Sequence, residues 1–436
     1  MYVLYSLGLS LIFVVLLPYF VIQALRYGKY AGSFKQRLGR LPDSIRSDGR
    51  RTIWVHAVSV GEFLAAKPLV HELKRELPDY RVVVSTTTLT GQRLAQSESN
   101  RIEGAFYFPF DWRFAVRRSL DWVKPSIVIV LETELWPNFL GECRKRGVIT
   151  ILANGRISSR SLRRYRIVGS FIRRVIGNLS LMIMQSDADA ERALELGAPS
   201  NRVRVCGNLK YDQSGVRGWG LGFGKELAET VSDKEIDLQF ALSTSSHLIV
   251  AGSTAPGEEE MLLAALTKIR THAGFEDTRL LIAPRHPERF DVVARLIAKS
   301  SFKFARRSEA ASSSRTDVIL LDTIGELASV YRFAAVVFVG GSLVPGGGHN
   351  IIEPAAFAKP IVVGKHTGNF RQIILDFDAA GAVVQIDSNH LVEALLQLLS
   401  DRALAREMGD QARGILLANR GACERTIGAI KDLRGI

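Results

Sequence analysis

The sequence predicts an α/β protein with two doubly wound, mostly parallel-sheet domains and an N-terminal membrane helix. Three observations support this fold class. The chain carries no charged residue from Tyr2 to Leu25. Short β-branched runs then alternate with amphipathic stretches, a pattern typical of βαβ units. Five glycines within Gly215–Gly224 interrupt this alternation and indicate a linker between two halves.

The apolar N-terminal run has the length of a membrane helix. At 1.5 Å per residue, Tyr2–Leu25 extends over roughly 36 Å, which exceeds a hydrocarbon core of about 30 Å. The run lacks the basic start and small-residue cleavage site of a signal peptide. Because a basic cluster, Arg26–Arg40, follows it, we predict a single-pass inner-membrane anchor at 1–25 with cytoplasmic domains behind it. A buried core helix and a helix lying on the membrane remain alternatives.

The elements that follow fall into two comparable halves. We expect an N-terminal domain over 26–212, a linker over 213–244 and a C-terminal domain over 245–436, with a ligand cleft between the carboxyl ends of the two sheets. The predicted helices of the first half are Phe63–Leu77, Trp112–Val123, Pro137–Arg146 and Asp187–Leu196. The predicted strands are Thr52–Ser59, Arg81–Thr87, Ser126–Leu131, Val148–Leu152 and Leu181–Met184 in the first half, and His247–Gly252, Leu280–Ala283, Val318–Leu321, Ala335–Val339 and Pro360–Val363 in the second.

The positive charge of the chain is concentrated in two segments. The 436 residues carry a net charge of +13, with +6 in residues 26–51 and +10 in residues 143–175. Such segments favour an anionic partner, either lipid, phosphorylated substrate or nucleic acid. We expect no nucleic acid, because the basic segments lack the interleaved aromatic residues of a stacking platform. Three widely spaced cysteines exclude a disulfide framework and a Cys-x-x-Cys zinc site, which is consistent with a reducing cytosol.

Several common chemistries are excluded by missing motifs. The chain has no P-loop, no His-Glu-x-x-His helix and no Gly-x-Ser-x-Gly elbow. It also lacks a complete Gly-x-Gly-x-x-Gly after the first strand, which argues against a nicotinamide dehydrogenase. The eight histidines show no spacing suited to metal ligands. We therefore expect neither a metal nor a cofactor.

Two acidic clusters follow predicted strands. Glu62 comes after a strand and a Gly turn, so it can act as a general base or cap the next helix. Glu132 and Glu134 stand two residues apart at another strand end and therefore cannot share its buried face. One of them is expected in the cleft and the other as the cap of the helix begun by Pro137. Capping together with a surface position remains equally open for this pair.

Basic and glycine-rich stretches after strands form the other candidates. Lys210 and Arg285 can each offer positive charge to a phosphate, although ordinary solvated side chains would also explain them. The strongest pattern is Gly340–Gly348 followed by a helix with Glu353 in its first turn. Glycine-rich turns of this kind let backbone N–H groups approach a phosphate, and the early acid can accept hydrogen bonds from a ribose.

At these positions the sequence resembles the 3-deoxy-D-manno-octulosonic acid (Kdo) transferases, which move Kdo from CMP-Kdo to a lipid A precursor. The resemblance extends from the N-terminal segment to about residue 370, and it implies a GT-B fold, with two Rossmann-like domains facing a central cleft, held on the inner membrane by the N-terminal segment. The matching stretches are HAVSVGE at 56–62, ETELWPN at 132–138, GRISSRS at 155–161, GNLKYD at 207–212, GST at 252–254, APRHPERF at 283–290, DTIGEL at 322–327 and GGSLVPGGGHNIIEPAAFAKPIVVG at 340–364.

The resemblance also implies roles for individual residues. Glu62 matches the proton acceptor, whereas Glu132 and Lys210 match positions that stabilise the transition state. Gly155 and Ala255-Pro256 depart from the family's usual residues, which affects local loop geometry and acceptor preference. The implied CMP-binding residues are Pro284, Arg285, Gly325, Glu326, Leu327, Asn350, Ile351, Ile352 and Glu353.

The expected function is transfer of Kdo from CMP-Kdo to lipid IVA in lipopolysaccharide core biosynthesis, with release of CMP. The basic segment 143–175 lies in the half where an anionic lipid acceptor would dock. Two alternatives remain open. One is another GT-B enzyme that uses a UDP-sugar, either a lipid glycosyltransferase or a nucleotide-sugar epimerase. The other is a membrane protein that binds anionic glycolipid without turnover.

Overall fold

The computed structural model describes residues 1–27, 31–98, 102–212, 231–242, 247–309 and 316–433. The chain forms two compact units, one of Met1–Gln213 with Asn419–Ile436 and the other of Ser214–Ala418. Each contains a parallel sheet with helices on its faces, so the predicted pair of α/β domains is confirmed. The predicted Gly215–Gly224 linker stretch lies outside the described residues.

The first unit is built on a seven-stranded sheet with the order β3-β2-β1-β4-β5-β6-β7. All its strand pairs are parallel. Alternate residues of β1 face opposite sides, since Trp54 packs into one core while Ile53 and Val55 pack into the other. The strands are β1 Thr52–His56, β2 Arg81–Thr86, β3 Gly104–Tyr107, β4 Ile127–Leu131, β5 Ile149–Gly155, β6 Leu181–Met184 and β7 Val203–Val205.

Nine helices precede or connect these strands within the described part of the first unit. They are α1 Tyr2–Tyr27, α2 Ala31–Arg37, α3 Val60–Glu76, α4 Leu89–Ser97, α5 Arg113–Val123, α6 Pro137–Lys145, α7 Ser159–Ile167, α8 Gly169–Ile176 and α9 Asp187–Glu195.

The second unit repeats the architecture with the strand order β10-β11-β9-β8-β12-β13-β14, again parallel throughout. Its strands are β8 Leu248–Thr254, β9 Arg279–Pro284, β10 Phe304–Arg306, β11 Val318–Leu320, β12 Val336–Val339, β13 Ile361–Gly364 and β14 Val384–Ile386. Its helices are α10 Val231–Phe240, α11 Glu258–Ile269, α12 Phe290–Ala298, α13 Leu327–Val330, α14 Ile352–Ala356, α15 Arg371–Ala379, α16 Leu391–Ser400 and α17 Arg402–Asn419.

The last helix, α18 (Ala422–Lys431), returns to the first unit, whereas the expected second domain extended to residue 436. Asp212 caps this helix, because its carboxylate accepts from the N–H groups of Gly421 (2.9 Å) and Cys423 (2.6 Å). Ile427 and Ile430 are buried in the core beside α3. Apolar burial and the cap together hold α18 on the first unit.

The N-terminal helix α1 lies along the surface of the first unit. Tyr2 packs edge-on against Phe171 of α8, with ring centres 5.6 Å apart, and Phe13 packs against Trp112 at 4.9 Å. Between them, Ser6 Oγ accepts a hydrogen bond from Asn138 Nδ2. In the part of the chain that the structure describes, no helix combines the length and apolar character that crossing a membrane requires.

Candidate active site

Glu62 stands in the first turn of α3, at the carboxyl end of β1. Ser59 caps the helix, and the Glu62 carboxylate accepts from Val58 N (2.8 Å) and from Ser59 Oγ (3.1 Å). Burial raises the pKa of Glu62 to about 7, and the charge of Glu132 adds to the rise, while the two hydrogen bonds and Lys210 oppose it. Glu62 therefore stabilises the start of α3, as the capping alternative proposed, and its pKa also suits a base near neutral pH.

Glu132 and Lys210 form an ion pair across the carboxyl end of the same sheet. Glu132 follows β4 with a positive φ of 54°, and its N–H donates to Ala153 O (3.0 Å). Its carboxylate lies 3.0 Å from Lys210 Nζ, and both side chains are largely buried. The positive φ marks a left-handed turn at the end of β4, and from this turn the Glu132 side chain reaches Lys210.

Glu134 joins this group, although the sequence singled it out only as one of two strand-end acids. Burial raises its pKa to about 7, and the charges of Glu62 and Glu132 add to the rise. These interactions bring Glu62, Glu132, Glu134 and Lys210 together as one electrostatic cluster. Lys210 pairs with Glu132, and repulsion from neighbouring carboxylates adds to the burial that raises the pKa of Glu62 and of Glu134.

The expectation that one of the two strand-end acids caps α6 is wrong. Asp111 performs that role, because its carboxylate accepts from Asn138 N (3.0 Å) and Phe139 N (2.8 Å). Asp111 follows β3 and is buried against the first turn of α6. A cap supplied from a distant part of the chain leaves no local sequence signal, which is why it was missed.

In the second unit, Arg285 is exposed directly after β9 and Pro284. Asn350 caps the short helix α14, since its Oδ1 accepts from Ile352 N (3.0 Å), and its Nδ2 donates to Glu353 Oε1 (3.2 Å). Burial raises the pKa of Glu353, and Asn350 and the Arg285 charge lower it. Arg285, Asn350 and Glu353 therefore occupy one electrostatic neighbourhood, and Ile351 and Ile352 are buried.

The resemblance implies a second nucleotide-binding stretch, Gly325–Leu327. Its first two residues precede helix α13, and Leu327 begins that helix. Gly325 has a φ of 93° and open space where a side chain would stand. Arg307 holds Glu326 with two hydrogen bonds of 2.9 and 3.2 Å, and Thr323 also donates to it. The Glu326 carboxylate is therefore fixed by an ion pair with Arg307 and by the Thr323 hydroxyl.

The glycine-rich loop differs from the predicted phosphate cradle. The buried carboxylate of Glu258, in the first turn of α11, accepts from the N–H groups of Gly341 (2.7 Å), Ser342 (2.9 Å) and Leu343 (2.9 Å). The amides of Gly346 and Gly348 donate to carbonyl groups within the loop. These five N–H groups donate inside the protein, so the expectation that the Gly340–Gly348 turn offers them to a phosphate is not supported.

Among the residues described by the structure, no group of three or more acidic, histidine or cysteine side chains is arranged to hold a metal ion.

Comparisons with known sequences identify the family. Residues 32–213 match the family described as 3-deoxy-D-manno-octulosonic-acid transferase (kdotransferase), and residues 262–414 match glycosyl transferases group 1. The 3-deoxy-D-manno-octulosonic acid transferase of Haemophilus influenzae is 35% identical over 87% of this chain and 86% of its own. The enzyme of the same name from Bordetella pertussis is 34% identical over 88% and 87%.

A solved structure of similar fold is UDP-GlcNAc 2-epimerase from Neisseria meningitidis, with a TM-score of 0.57 and 14% identity over 88% of this chain and 100% of that one. At this identity the likeness concerns the fold alone, and it agrees with the two α/β domains of the GT-B fold. The sequence relatives, in contrast, cover most of both chains at more than 30% identity. The chain therefore belongs to the 3-deoxy-D-manno-octulosonic acid transferase family of glycosyltransferases.

Proposed function

We propose that this protein transfers Kdo from CMP-Kdo to lipid IVA and releases CMP, as a step of lipopolysaccharide biosynthesis. Family membership supports the transfer of Kdo. The identity of the acceptor, lipid IVA, is an additional part of the proposal. The observation that carries the proposal is the cluster of Glu62, Glu132, Glu134 and Lys210 at the carboxyl end of one parallel sheet. Ligands of parallel α/β sheets bind at that end.

The proposed reaction is a substitution at the anomeric carbon of Kdo. An acceptor hydroxyl oxygen forms the new bond, the bond from that carbon to the CMP phosphate oxygen breaks, and the bonding electrons leave with CMP. Glu62 takes the hydroxyl proton, and its pKa of about 7 suits a base at neutral pH. The Glu132 carboxylate, held by Lys210, stabilises positive charge that develops on the sugar.

The second unit supplies the proposed donor contacts. Arg285 provides exposed positive charge for the single phosphate of CMP-Kdo. The capped turn at Asn350 and Glu353 offers polar groups to the ribose, and Gly325–Leu327 completes the nucleotide contacts. Because Glu258 already engages the glycine-loop amides, Arg285 is the main group proposed to neutralise the phosphate charge.

We further propose that the first unit associates with the inner membrane through α1, which lies on the membrane surface. Leu4, Leu11 and Val15 fall on one side of this helix and are 66–71% exposed. Helix α8 lies beside its start, because Tyr2 contacts Phe171, and α7 directly precedes α8 in the chain. An apolar strip flanked by cations is typical of interfacial helices on anionic lipid. The exposed arginines of α7 and α8 are Arg160, Arg163, Arg164, Arg166, Arg173 and Arg174.

An assay of CMP release tests the proposed reaction. Purified full-length protein is given CMP-Kdo with and without lipid IVA, and UDP-GlcNAc replaces CMP-Kdo as the competing donor. We expect CMP only when both CMP-Kdo and lipid IVA are present, together with a lipid product whose mass has increased by Kdo. CMP release without acceptor would indicate a hydrolase, and turnover of UDP-GlcNAc would favour the alternative GT-B activities. No product from either donor would contradict the proposal.

A further inference from the structure

Asn154 is a buried polar residue beside the carboxylate cluster. The proposed chemistry does not use this residue. It is the penultimate residue of β5 and is only 1% exposed. Its φ of 53° lies in the left-handed region, where asparagine is tolerated better than most residues. Its position at the carboxyl end of the sheet places it next to the end of β4, from which Glu132 projects.

The side chain of Asn154 links β5 to the turn that carries Lys210. Its Oδ1 accepts a hydrogen bond from the N–H of Leu209, at 2.9 Å, and Leu209 is completely buried. Lys210 follows immediately, with its own N–H donated to Asn208 Oδ1 (3.0 Å). The Asn154 bond therefore fixes the main chain one residue before Lys210.

The partner of Lys210 is fixed to the same segment of β5. Glu132 donates its N–H to the carbonyl of Ala153, the residue before Asn154. The two members of the Glu132–Lys210 ion pair are thus both held by Ala153-Asn154, one through the main chain and the other through the Asn154 side chain. A shift of the Lys210 turn relative to β5 would lengthen the 3.0 Å ion pair directly.

We propose that Asn154 is a positioning residue for Lys210, and that its side-chain oxygen sets the distance between the lysine ammonium group and Glu132 during Kdo transfer. This inference rests on the proposed function, in which Lys210 acts on the transition state. Loss of the oxygen leaves the buried Leu209 N–H without its acceptor, which favours movement of the turn. Displacements of about 1 Å in an active site can reduce turnover roughly 10²-fold.

The test separates the side-chain oxygen from the backbone conformation. Asn154→Gly removes the acceptor but tolerates the positive φ, so a loss of kcat reports on the missing side chain and not on backbone strain. We expect the glycine variant to lose kcat by about 10- to 100-fold with unchanged CMP affinity. Gln185→Leu is the matched control, because the Gln185 side chain donates to the main-chain oxygen of Asn154, whereas Leu209 N–H uses the side-chain oxygen. Its kcat should stay near the parent value.

A double-mutant cycle with Lys210→Ala distinguishes positioning from general stability. We expect Asn154→Gly to cause little further loss of kcat once Lys210 is absent. Equal losses in both backgrounds or a normal kcat for Asn154→Gly would each overturn the inference. If the glycine variant does not fold, Asn154→Ser replaces it, because its shorter side chain loses reach to Leu209. Normal turnover of Lys210→Ala alone would reject the role of Lys210 in the proposed function, and with it this inference, whereas a failed cycle with an impaired Lys210→Ala would reject the inference alone.

Discussion

Glu62 shows how one residue serves local structure and proposed chemistry together. Its carboxylate accepts hydrogen bonds from Val58 and Ser59 at the start of α3, and such bonds lower its pKa. Burial and the neighbouring charge of Glu132 raise the pKa further than these bonds reduce it. The net result, about 7, leaves a carboxylate that is held in place by the helix start and is still basic enough to accept a proton.

Glu62→Gln separates these two roles. Glutamine cannot take the acceptor's proton, so we expect turnover to fall by about 10²–10⁴-fold while CMP binding changes little, since the proposed nucleotide contacts lie in the second unit. The weaker cap should also cost about 1 kcal/mol of stability. Turnover and melting temperature are measured on the same preparation. Ser59→Ala is the control that weakens the cap but keeps the carboxylate. Near-normal turnover of the glutamine variant would remove Glu62 from the mechanism.

The pH dependence of kcat/KM follows from the same residue. Because the pKa of Glu62 is raised to about 7, the base is protonated and inactive below that pH. We therefore expect kcat/KM to fall about tenfold per pH unit on the acidic side of neutrality. Glu134→Gln removes a like charge from the cluster and should move this limb to lower pH. An acidic limb near the ordinary glutamate range of about 4.3 would contradict the assignment.

At the level of elements, hydrogen bonds to Glu258 join α11 to the glycine-rich loop after β12. The fully buried Glu258 carboxylate accepts four main-chain N–H groups, from Ala255, Gly341, Ser342 and Leu343. Its charge compensates the converging N–H dipoles in the manner that a bound anion would. The loop is thereby fixed by contacts within the protein, close to the proposed nucleotide residues of α14.

Glu258→Gln tests this coupling between the helix and the loop. The amide NH₂ of glutamine would face N–H donors, and we expect a loss of about 2–3 kcal/mol of unfolding free energy together with weaker CMP binding. Glu260→Gln, in the same helical turn but exposed, is the control and should change neither quantity. Urea unfolding and CMP titration measure the two effects. An unchanged CMP affinity in the destabilised variant would show that the loop does not support the nucleotide site.

The whole molecule combines a basic surface with an exposed apolar helix face on its first unit. Deleting residues 1–25 should keep CMP affinity and weaken binding to phosphatidylglycerol vesicles. The binding that remains should be lost at 1 M salt, where the Debye length falls to about 3 Å and screens the α7 and α8 arginines. Flotation with vesicles measures this. The point variant Leu11→Glu, on the exposed face of α1, should act similarly without uncovering the side that packs on Trp112 and Phe171.

One result would directly contradict the membrane proposal. If the full-length protein fractionates as soluble after lysis in low salt, α1 does not hold it on the membrane. Ser10→Ala serves as the control for Leu11→Glu, because Ser10 accepts a hydrogen bond from the Trp112 indole on the packed side. Its vesicle binding should match that of the parent protein.

Chelation tests the chemistry of the whole enzyme. Since the proposed site assigns the single phosphate of CMP-Kdo to Arg285, turnover should survive excess EDTA. The measurement is CMP release before and after chelation, followed by addition of magnesium. Loss of turnover that magnesium restores would show that the proposed phosphate site is incomplete.

Sequence alone determined the family, the two-domain α/β class and the five central strands of each sheet. Those strands are buried on both faces, so their apolar runs are continuous and readable, as in β1 and β4. The edge strands β3, β7, β10 and β14 were missed, because partial exposure and short length remove that pattern.

Tertiary structure decided which distant residues meet. The cap of α6 by Asp111, the filling of the glycine loop by Glu258 and the return of α18 each join segments far apart in the chain, and no local spacing encodes such contacts. The same holds within the candidate site. The sequence located Glu62, Glu132 and Lys210 one by one, but the ion pair, the inclusion of Glu134 and the link through Asn154 arise only where the ends of parallel strands converge.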